Sequence, residues 1–395
     1  MGGGLILFLI VLLLLAALSH QTFLIGLFYF FAGALILGRF WTGQVVKKMV
    51  VLRKLDHQAF PGDVIPVNLE IRNSSLLPAV WLKIQDYYPI EVAESSSFSQ
   101  IISLGPHESN HLSYSLRANK RGYYRIGPIH LSSGDLFGLS AERQSEGAYD
   151  HLIVYPRIVP LTKVRIPTRS PLGSLPHSQP IFEDPSRLMG KRDYQPGDSI
   201  RRIDWKSSAA TGQLQTKLFE PSIALESVIF LNLNQEDYYL RSRGEATELA
   251  IIVSASIANW MIAQRQAVGM VVNGLDPYSQ ESIPTPIPVK KGRSHLMKIL
   301  ETLARIRTFD LGSFSAVFRN HRTHYPWGTS VVVITGDPSD ALFDELLLAK
   351  RAGLNLFLIL CGENPESHQV ILKANFYSIP AVAIHDEKDM DLWRI

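Results

Sequence analysis

Residues 228–272 read VIFLNLNQEDYYLRSRGEATELAIIVSASIANWMIAQRQAVGMVV. Val228, Ile229, Phe230 and Leu231 form a short unbroken apolar run, the mark of a strand covered on both faces. In the following segment Leu249, Ile252, Val253, Ser256 and Trp260 recur at helical spacing, and Gly269-Met270-Val271-Val272 supplies a second buried strand. Two such strands joined through a helix pair in parallel, because a parallel pair needs a crossover connection. The alternation continues toward the C-terminus. Leu296, Ile299, Leu300 and Leu303 mark a second helix, residues 331–334 a third strand and residues 341–349 a third helix. Residues 356–360 and 381–384 give two more strands. This rhythm predicts a mostly parallel, Rossmann-like α/β sheet with helices on both faces. Sheets of this kind bind ligands at the carboxyl ends of their strands, which places residues 232–236, Asn273-Gly274 and Thr335-Gly336-Asp337 at the expected position.

Immediately upstream stands the densest polar stretch of the chain, GKRDYQPGDSIRRIDWKSSAA at residues 190–210. Gln195-Pro196-Gly197-Asp198 is a turn, since proline presets φ at the second position and glycine supplies a positive φ at the third. Asp198 then sits at the expected N-cap of a short helix, with Ile200, Ile203 and Ser207 on one face. Arg201, Arg202, Asp204 and Lys206 occupy the other. Three uses fit these residues. Arg192, Arg201, Arg202 and Lys206 can pair with Asp193, Asp198 and Asp204 to fasten the segment down, Tyr194 and Trp205 burying their rings. The same arginine, tyrosine and tryptophan side chains can form a docking face. The cations at a helix start can also hold an anion such as phosphate.

Prolines at 160, 167, 171, 176, 180 and 185 make residues 157–189 an extended linker. Before it, residues 47–156 change to period two. Ile65, Val67, Leu69 and Ile71 alternate with polar residues, as do Val80, Leu82 and Ile84, and Leu112, Tyr114 and Leu116. Turn clusters at Pro61-Gly62-Asp63 and Asn73-Ser74-Ser75 separate the runs, which predicts an antiparallel β-sandwich. The N-terminal 46 residues hold two apolar runs, 5–18 and 23–37, separated by Ser19-His20-Gln21-Thr22. With flanking glycines and Phe40-Trp41 each approaches the length that spans a bilayer, so the pair is expected to form a transmembrane hairpin. No basic n-region or cleavage pattern marks a signal peptide. Arg39, Lys47, Lys48, Arg53 and Lys54 follow the second run while none precedes the first. The positive-inside rule then puts both ends of the hairpin, and the soluble part, in the cytoplasm.

Two segments carry a resemblance to a known family. Lys120-Arg121-Gly122-Tyr123-Tyr124-Arg125-Ile126-Gly127-Pro128 with Ser133-Gly134-Asp135-Leu136-Phe137-Gly138-Leu139 resembles a paired signature of domain-of-unknown-function family 58, which usually has proline in place of Leu136. The hallmark of that family is matched nearly position for position by Arg192, Tyr194, Pro196, Gly197, Asp198, Arg201, Ile203, Asp204, Trp205, Lys206 and Ala209. The resemblance covers the order of hairpin, sandwich, hallmark and α/β domain. It implies a C-terminal half similar to a von Willebrand factor A domain and a partner of the MoxR-type AAA+ ATPase class, beside which members are generally encoded. It implies no established reaction. Domains of that type often hold Mg²⁺ in a loop after the first strand; here the corresponding residues are Asn232, Asn234 and Glu236, with Asp337 as the late acid. Mg²⁺ favours carboxylate oxygen, and Asn232 in place of an aspartate removes a charge. The loop is therefore expected to be a degenerate metal site, and no resident cofactor is expected.

Composition limits the alternatives. The 395 residues carry 39 basic and 36 acidic side chains, a net charge of +3, so no global field favours nucleic acid. Cys361 is the only cysteine, ending an apolar run, which excludes an intrachain disulfide. The chain lacks a phosphate-binding G-x-x-x-x-G-K-[ST] loop, an H-E-x-x-H zinc helix and a G-x-S-x-G nucleophile elbow. His321 with His324 lacks a third ligand, and His385-Asp386 lacks a nucleophile. The reading is of a membrane-anchored interaction protein, not an enzyme, facing the cytoplasm and working with a MoxR-type ATPase. A metal-dependent hydrolase or phosphate-binding enzyme using the strand-end loops is the alternative.

Overall fold

The structure is a computed structural model that describes residues 2–19, 21–134, 143–146, 149–161, 183–195, 198–221, 226–277, 286–308 and 312–390. It divides into two compact units. The first is Met1–Arg157 with Leu300–Arg305, and the second is Ile158–Ile299 with Ile306–Ile395.

The first unit opens with two helices, α1 (Gly2–Ser19) and α2 (Thr22–Lys47). Their apolar side chains point outward, with Leu18, Phe23, Ile36 and Leu37 exposed. Helix α2 is long and apolar enough to cross a membrane, and only 6% of its apolar window is buried. Phe8 and Phe31 meet edge to face at 5.7 Å, which holds the two helices side by side. The last turns of α2 behave differently. Thr42, Gly43, Val45 and Val46 are buried, and Val45 belongs to the core of the β-sheets that follow. A domain boundary at residue 46 therefore falls inside a helix. Trp41 and Val45, four residues apart, stand on one face of that helix and continue the apolar stripe past the first charge, Arg39.

Among the described residues ten strands follow: β1 (Met49–Lys54), β2 (Gln58–Ala59), β3 (Val64–Asn73), β4 (Ala79–Tyr87), β5 (Ser97–Leu104), β6 (Ser109–Arg117), β7 (Gly122–Ile126), β8 (Ile129–Ser133), β9 (Arg143–Glu146) and β10 (Asp150–Val154). They form sheets of order β1-β3-β6, β2-β10-β7 and β5-β4-β8-β9. Pairing is antiparallel except between β2 and β10. The period-two pattern sets which side chains turn in: Ile65, Val67, Leu69 and Ile71 from β3 meet Leu82 and Ile84 from β4 and Leu112 and Leu116 from β6 in one core. Val80 is only half-buried, because the β4 register shifts between Ala79 and Leu82.

An ionic cluster lies inside these sheets. Arg53 is held by the Asp86 carboxylate in a two-point fork, Nη2 to Oδ1 at 2.6 Å and Nε to Oδ2 at 3.0 Å, and by Asp150 at 2.7 Å. The Tyr114 hydroxyl donates to Asp86 Oδ2 at 2.7 Å. The Arg53 and Asp86 side chains are 2% and 0% exposed, so their charges are compensated by each other and not by water. Burial first, then the neighbouring carboxylate, pushes the Tyr114 phenol far above its ordinary value.

In the second unit β11 (Glu183–Asp193) pairs antiparallel with β12 (Gln215–Pro221). Residues 183–189, expected in the linker, are thus strand, with register shifts on either side of Leu188; Pro185, which has no N–H to give the ladder, lies in the irregular part. Between these strands come a 3₁₀ turn at Ile200–Arg202 and α3 (Trp205–Thr211). The remainder is β13 (Glu226–Asn232), α4 (Arg243–Ala263), β14 (Ala267–Asn273), β15 (Ile287–Lys290), α5 (Arg293–Arg305, of which Leu300–Arg305 belongs to the first unit), α6 (Phe314–Arg322), β16 (Ser330–Thr335), α7 (Asp340–Arg351), β17 (Asn355–Cys361), α8 (Ser367–Phe376) and β18 (Ala381–Ile384). The sheet order is β15-β14-β13-β16-β17-β18, parallel except for the edge strand β15. Val228, Ile229, Phe230 and Leu231 are wholly buried, as the apolar run requires. Helix α4 also passes the length and hydropathy test for a membrane span, but 67% of its apolar window is buried, making it a core helix. Since β14 and β16 flank β13 on opposite sides, the chain reverses its winding direction between β13 and β16. A crevice opens at the carboxyl ends of such a pair.

Candidate functional site

Two polar assemblies in the second unit take up the residues singled out by sequence. The first is the excursion between β11 and β12. Its base is closed by Tyr194 N donating to Leu214 O at 2.8 Å and Asp204 N to Gln215 O at 2.8 Å, with Ile203 bridging Thr216. The helix cap expected at Asp198 belongs to Asp204, whose Oδ1 accepts from Ser207 N at 3.1 Å. Ile200–Arg202 completes a single 3₁₀ turn, the bridge at Ile203 interrupts it, and the helix restarts at Trp205. Asp198 turns back instead, accepting from Arg192 Nη2 at 2.6 Å and Gln195 N at 3.0 Å, so it locks the Gln195 turn.

The ion pairs also differ from expectation. Asp204 takes Lys191 at 2.9 Å, a residue outside the expected set, and Asp193 accepts from the Gln215 amide. The Arg192 hydrogen bond, then the Gln195 amide, hold the Asp198 carboxyl below its ordinary value; Lys191, then the Ser207 amide, do the same for Asp204. Gly212, in the left-handed region at φ 71°, ends α3 by donating to Ser208 O at 2.9 Å. Arg202 and Lys206 are exposed. Pro196, Gly197 and the Arg201 side chain lie outside the described residues, as do Asp135, Leu136, Phe137, Gly138 and Leu139 of the upstream signature. The burial expected of the Trp205 ring does not occur: it is 64% exposed, beside Ile200 at 68% in the preceding turn.

The second assembly lies at the crevice between β13 and β16. Asn232, ending β13, is its hub. Its Nδ2 donates to Asp237 Oδ2 at 2.8 Å and to Thr335 Oγ1 at 3.0 Å, and its Oδ1 accepts from Asn234 N at 3.0 Å and Asn273 Nδ2 at 3.4 Å. Asn234 Nδ2 adds a second amide donor to Asp237 at 3.3 Å. The buried Tyr238 hydroxyl donates to Asn232 O at 2.6 Å. Asp337 N donates to Asp237 O at 2.7 Å, joining the two loops. That approach needs Gly336, because a Cβ there would stand 2.7 Å from Asp237 O and press on the Tyr238 ring.

Of the four expected ligands, Asn232 and Asn234 stand together, Asp337 lies at the exposed rim and Glu236 is exposed and takes no part. Asp237, one residue on, is the acid that turns inward. The 3₁₀ turn at Gln235–Asp237 rotates it there, and no spacing rule for an extended loop would have selected it. Partial burial first, then Glu366, raise the Asp337 carboxyl, with Asp237 adding and an Asn364 hydrogen bond opposing. The donor set does not fit a divalent cation well. One carboxylate faces inward, and its Oδ2 already receives two amide N–H groups; the buried oxygens without a protein partner, Asn234 Oδ1 and Asn273 Oδ1, are neutral. Among the described residues, no three His, Cys, Asp or Glu side chains gather as a metal-ligand set.

His321 and His324 lie 5.9 Å apart at the end of α6, where burial and then His324 lower the His321 pKa. Asp386 and Asp389 accept backbone N–H groups around the Glu387–Met390 turn. Cys361 is buried and its thiol is pushed up by desolvation.

Apolar N-terminal helices, a mainly antiparallel β unit and a doubly wound α/β unit with a rigid polar excursion define the class of this protein. Residues 190–333, beginning with that excursion, match the family described as protein of unknown function DUF58. A curated relative is the uncharacterized protein YeaD of Bacillus subtilis (strain 168), 25% identical over 319 residues, covering 79% of this chain and 75% of the relative. Among solved structures, the CARDB domain of the PF1109 protein from Pyrococcus furiosus, in complex with di-metal ions, is 16% identical with a TM-score of 0.21, covering 27% of this chain and 86% of that domain. A solution structure of the same domain gives 17% identity and a TM-score of 0.22 over 27% of this chain and 94% of that one.

Proposed function

We propose that this protein is a membrane-anchored, cytoplasm-facing adaptor whose second unit docks a MoxR-type AAA+ ATPase through the excursion of residues 190–215. One observation carries the reading: Trp205 and Ile200 project 64% and 68% exposed from a segment whose carboxylates are engaged in fixing its own turns. Large apolar side chains on a preorganised support are the anchors that dominate protein interfaces. The internal use of Asp198 and Asp204 with Arg192 and Lys191 weighs against the phosphate reading, since those cations already face carboxylates. The sheet order, with one antiparallel edge strand, supports a von Willebrand A-like second unit. The three sheets of the first unit support a β-sandwich spacer.

The test is a pull-down of the ATPase with the full chain in lipid nanodiscs, with and without nucleotide. Association is expected, and Trp205→Ala should weaken it about 30-fold or more, as for an interface anchor, with an unchanged circular dichroism spectrum. No association in either nucleotide state sinks the reading. The competing enzyme reading draws on Asn234 Oδ1 and Asn273 Oδ1, buried without protein partners beside Asp237. A hydrolase and phosphatase screen with and without Mg²⁺ separates the two, since turnover abolished by Asp337→Ala would favour the enzyme. Calorimetric titration with Mg²⁺ tests the metal separately, and no saturable heat is expected.

A further inference from the structure

The loop between β3 and β4 carries an exposed leucine at its tip. Leu76 is 77% exposed, yet the loop beneath it is closed by hydrogen bonds from Asn73 and Ser75. Asn73, wholly buried, donates through Nδ2 to Leu77 O and to Gly105 O, both at 2.9 Å. Ser75, also buried, donates from Oγ to Asn73 Oδ1 at 2.7 Å, and its N donates to the same oxygen at 3.0 Å. Leu77 packs against the core on the inner side. An apolar side chain is thus held outward by a rigid polar frame, when a polar residue at the tip would satisfy the same turn.

The position of that frame indicates what the leucine meets. Ser74 N donates to Lys48 O at 3.1 Å, just past the end of α2, and Pro78 O accepts the Trp41 indole N–H at 3.0 Å. The loop therefore runs back along the last two turns of α2, from Lys48 toward Trp41. Arg39, Phe40 and Trp41 are the first charge and the aromatic pair that end the apolar run of this helix, the composition that marks a membrane–water boundary. Lys47 and Lys48 are exposed on the same end.

We infer that Leu76 inserts into the lipid headgroup and acyl boundary, so that the β unit is fixed to the bilayer at a second point besides the helices. The loop borders the end of the apolar run of α2, and the exposed Lys47 and Lys48 beside it suit anionic headgroups. The inference rests on the membrane reading proposed above.

The test uses the full chain in vesicles of phosphatidylcholine and phosphatidylglycerol, with an environment-sensitive fluorophore on Leu76→Cys. Ile36→Cys on α2 is the lipid reference and Ser115→Cys on β6 the aqueous one. The native Cys361 is buried and does not compete for label. The expected result at Leu76 is quenching by nitroxide-bearing lipid and loss of most of the iodide quenching seen at Ser115. If Leu76 is quenched by iodide as Ser115 is while Ile36 reports lipid, the inference fails and the membrane reading stands. Protection from iodide without lipid quenching shows a protein cover, such as a second copy, and also overturns it. An aqueous Ile36 removes both.

Discussion

At the residue scale the two acids of the excursion do work that a count of charges hides. Asp198 and Asp204 each combine one cation with one backbone N–H, and each has a depressed pKa in the folded state. A depressed carboxyl stabilises above its unfolded value and loses that contribution as pH falls through the folded one. Hydrogen exchange of the amides of Gln195 and Ser207, taken relative to the intrinsic rate at each pH, should therefore accelerate below about pH 4, the ordinary carboxylate range, while the sheet of the second unit stays protected. Asp204→Ala should produce the same local acceleration at neutral pH. If exchange at Ser207 is unchanged in that variant, the cap is not what holds α3. Asp337 has the opposite sign. Its raised carboxyl favours the protonated form in the fold, so it opposes stability once ionised. Asp337→Asn should raise the unfolding midpoint slightly at pH 7, with the gain vanishing below about pH 4. A gain that persists in acid would place its cause elsewhere than charge.

At the element scale, the parts legible in the sequence were those whose side chains repeat. Strands β13, β14, β16 and β17 follow from unbroken apolar runs, and β3 from alternation over its full length, because burial on two faces or one face leaves a direct signature. Other elements left none. Strand β15 is a short antiparallel edge carrying Pro288, α6 spans nine residues and α8 ten, too short for helical periodicity to stand out. Site residues divide in the same way. Asn232 and Thr335 were placed by lying at strand ends, whereas Asp237 depends on one 3₁₀ turn and Lys191 on the register of β11.

The Arg53–Asp86–Tyr114 cluster was equally silent, since its members sit far apart in sequence and each reads as an ordinary strand residue. Asp86→Ala leaves Arg53 buried without its main partner and should cost the first unit about 3–5 kcal/mol, with Tyr114→Phe milder at about 1–2 kcal/mol. Denaturant unfolding of the full chain, followed by proteolysis of the first unit, measures both. A loss below about 1 kcal/mol for Asp86→Ala would mean that water reaches the cluster.

At the scale of the whole molecule, the proposed arrangement depends on which side of the membrane receives the soluble part. Arg39, Lys47, Lys48, Arg53 and Lys54 follow the second apolar helix, and no charged side chain precedes the first. Short basic flanks resist translocation, so the residues after α2 are expected to stay inside, and two spans return the N-terminus to the same side. A membrane-impermeant maleimide applied to intact cells should then label Gln21→Cys, between the helices, and leave Gly3→Cys and Ser115→Cys unlabelled until the membrane is opened. The background is low because Cys361 is buried and its thiol is held in the protonated, unreactive form. Labelling of Ser115→Cys in intact cells would place the β unit outside and remove access to a cytoplasmic ATPase. Labelling of Gly3→Cys with protection of Ser115→Cys would mean a single span, α2, and the soluble part would still face the ATPase. The docking proposal therefore stands or falls with Ser115, and the hairpin with Gly3.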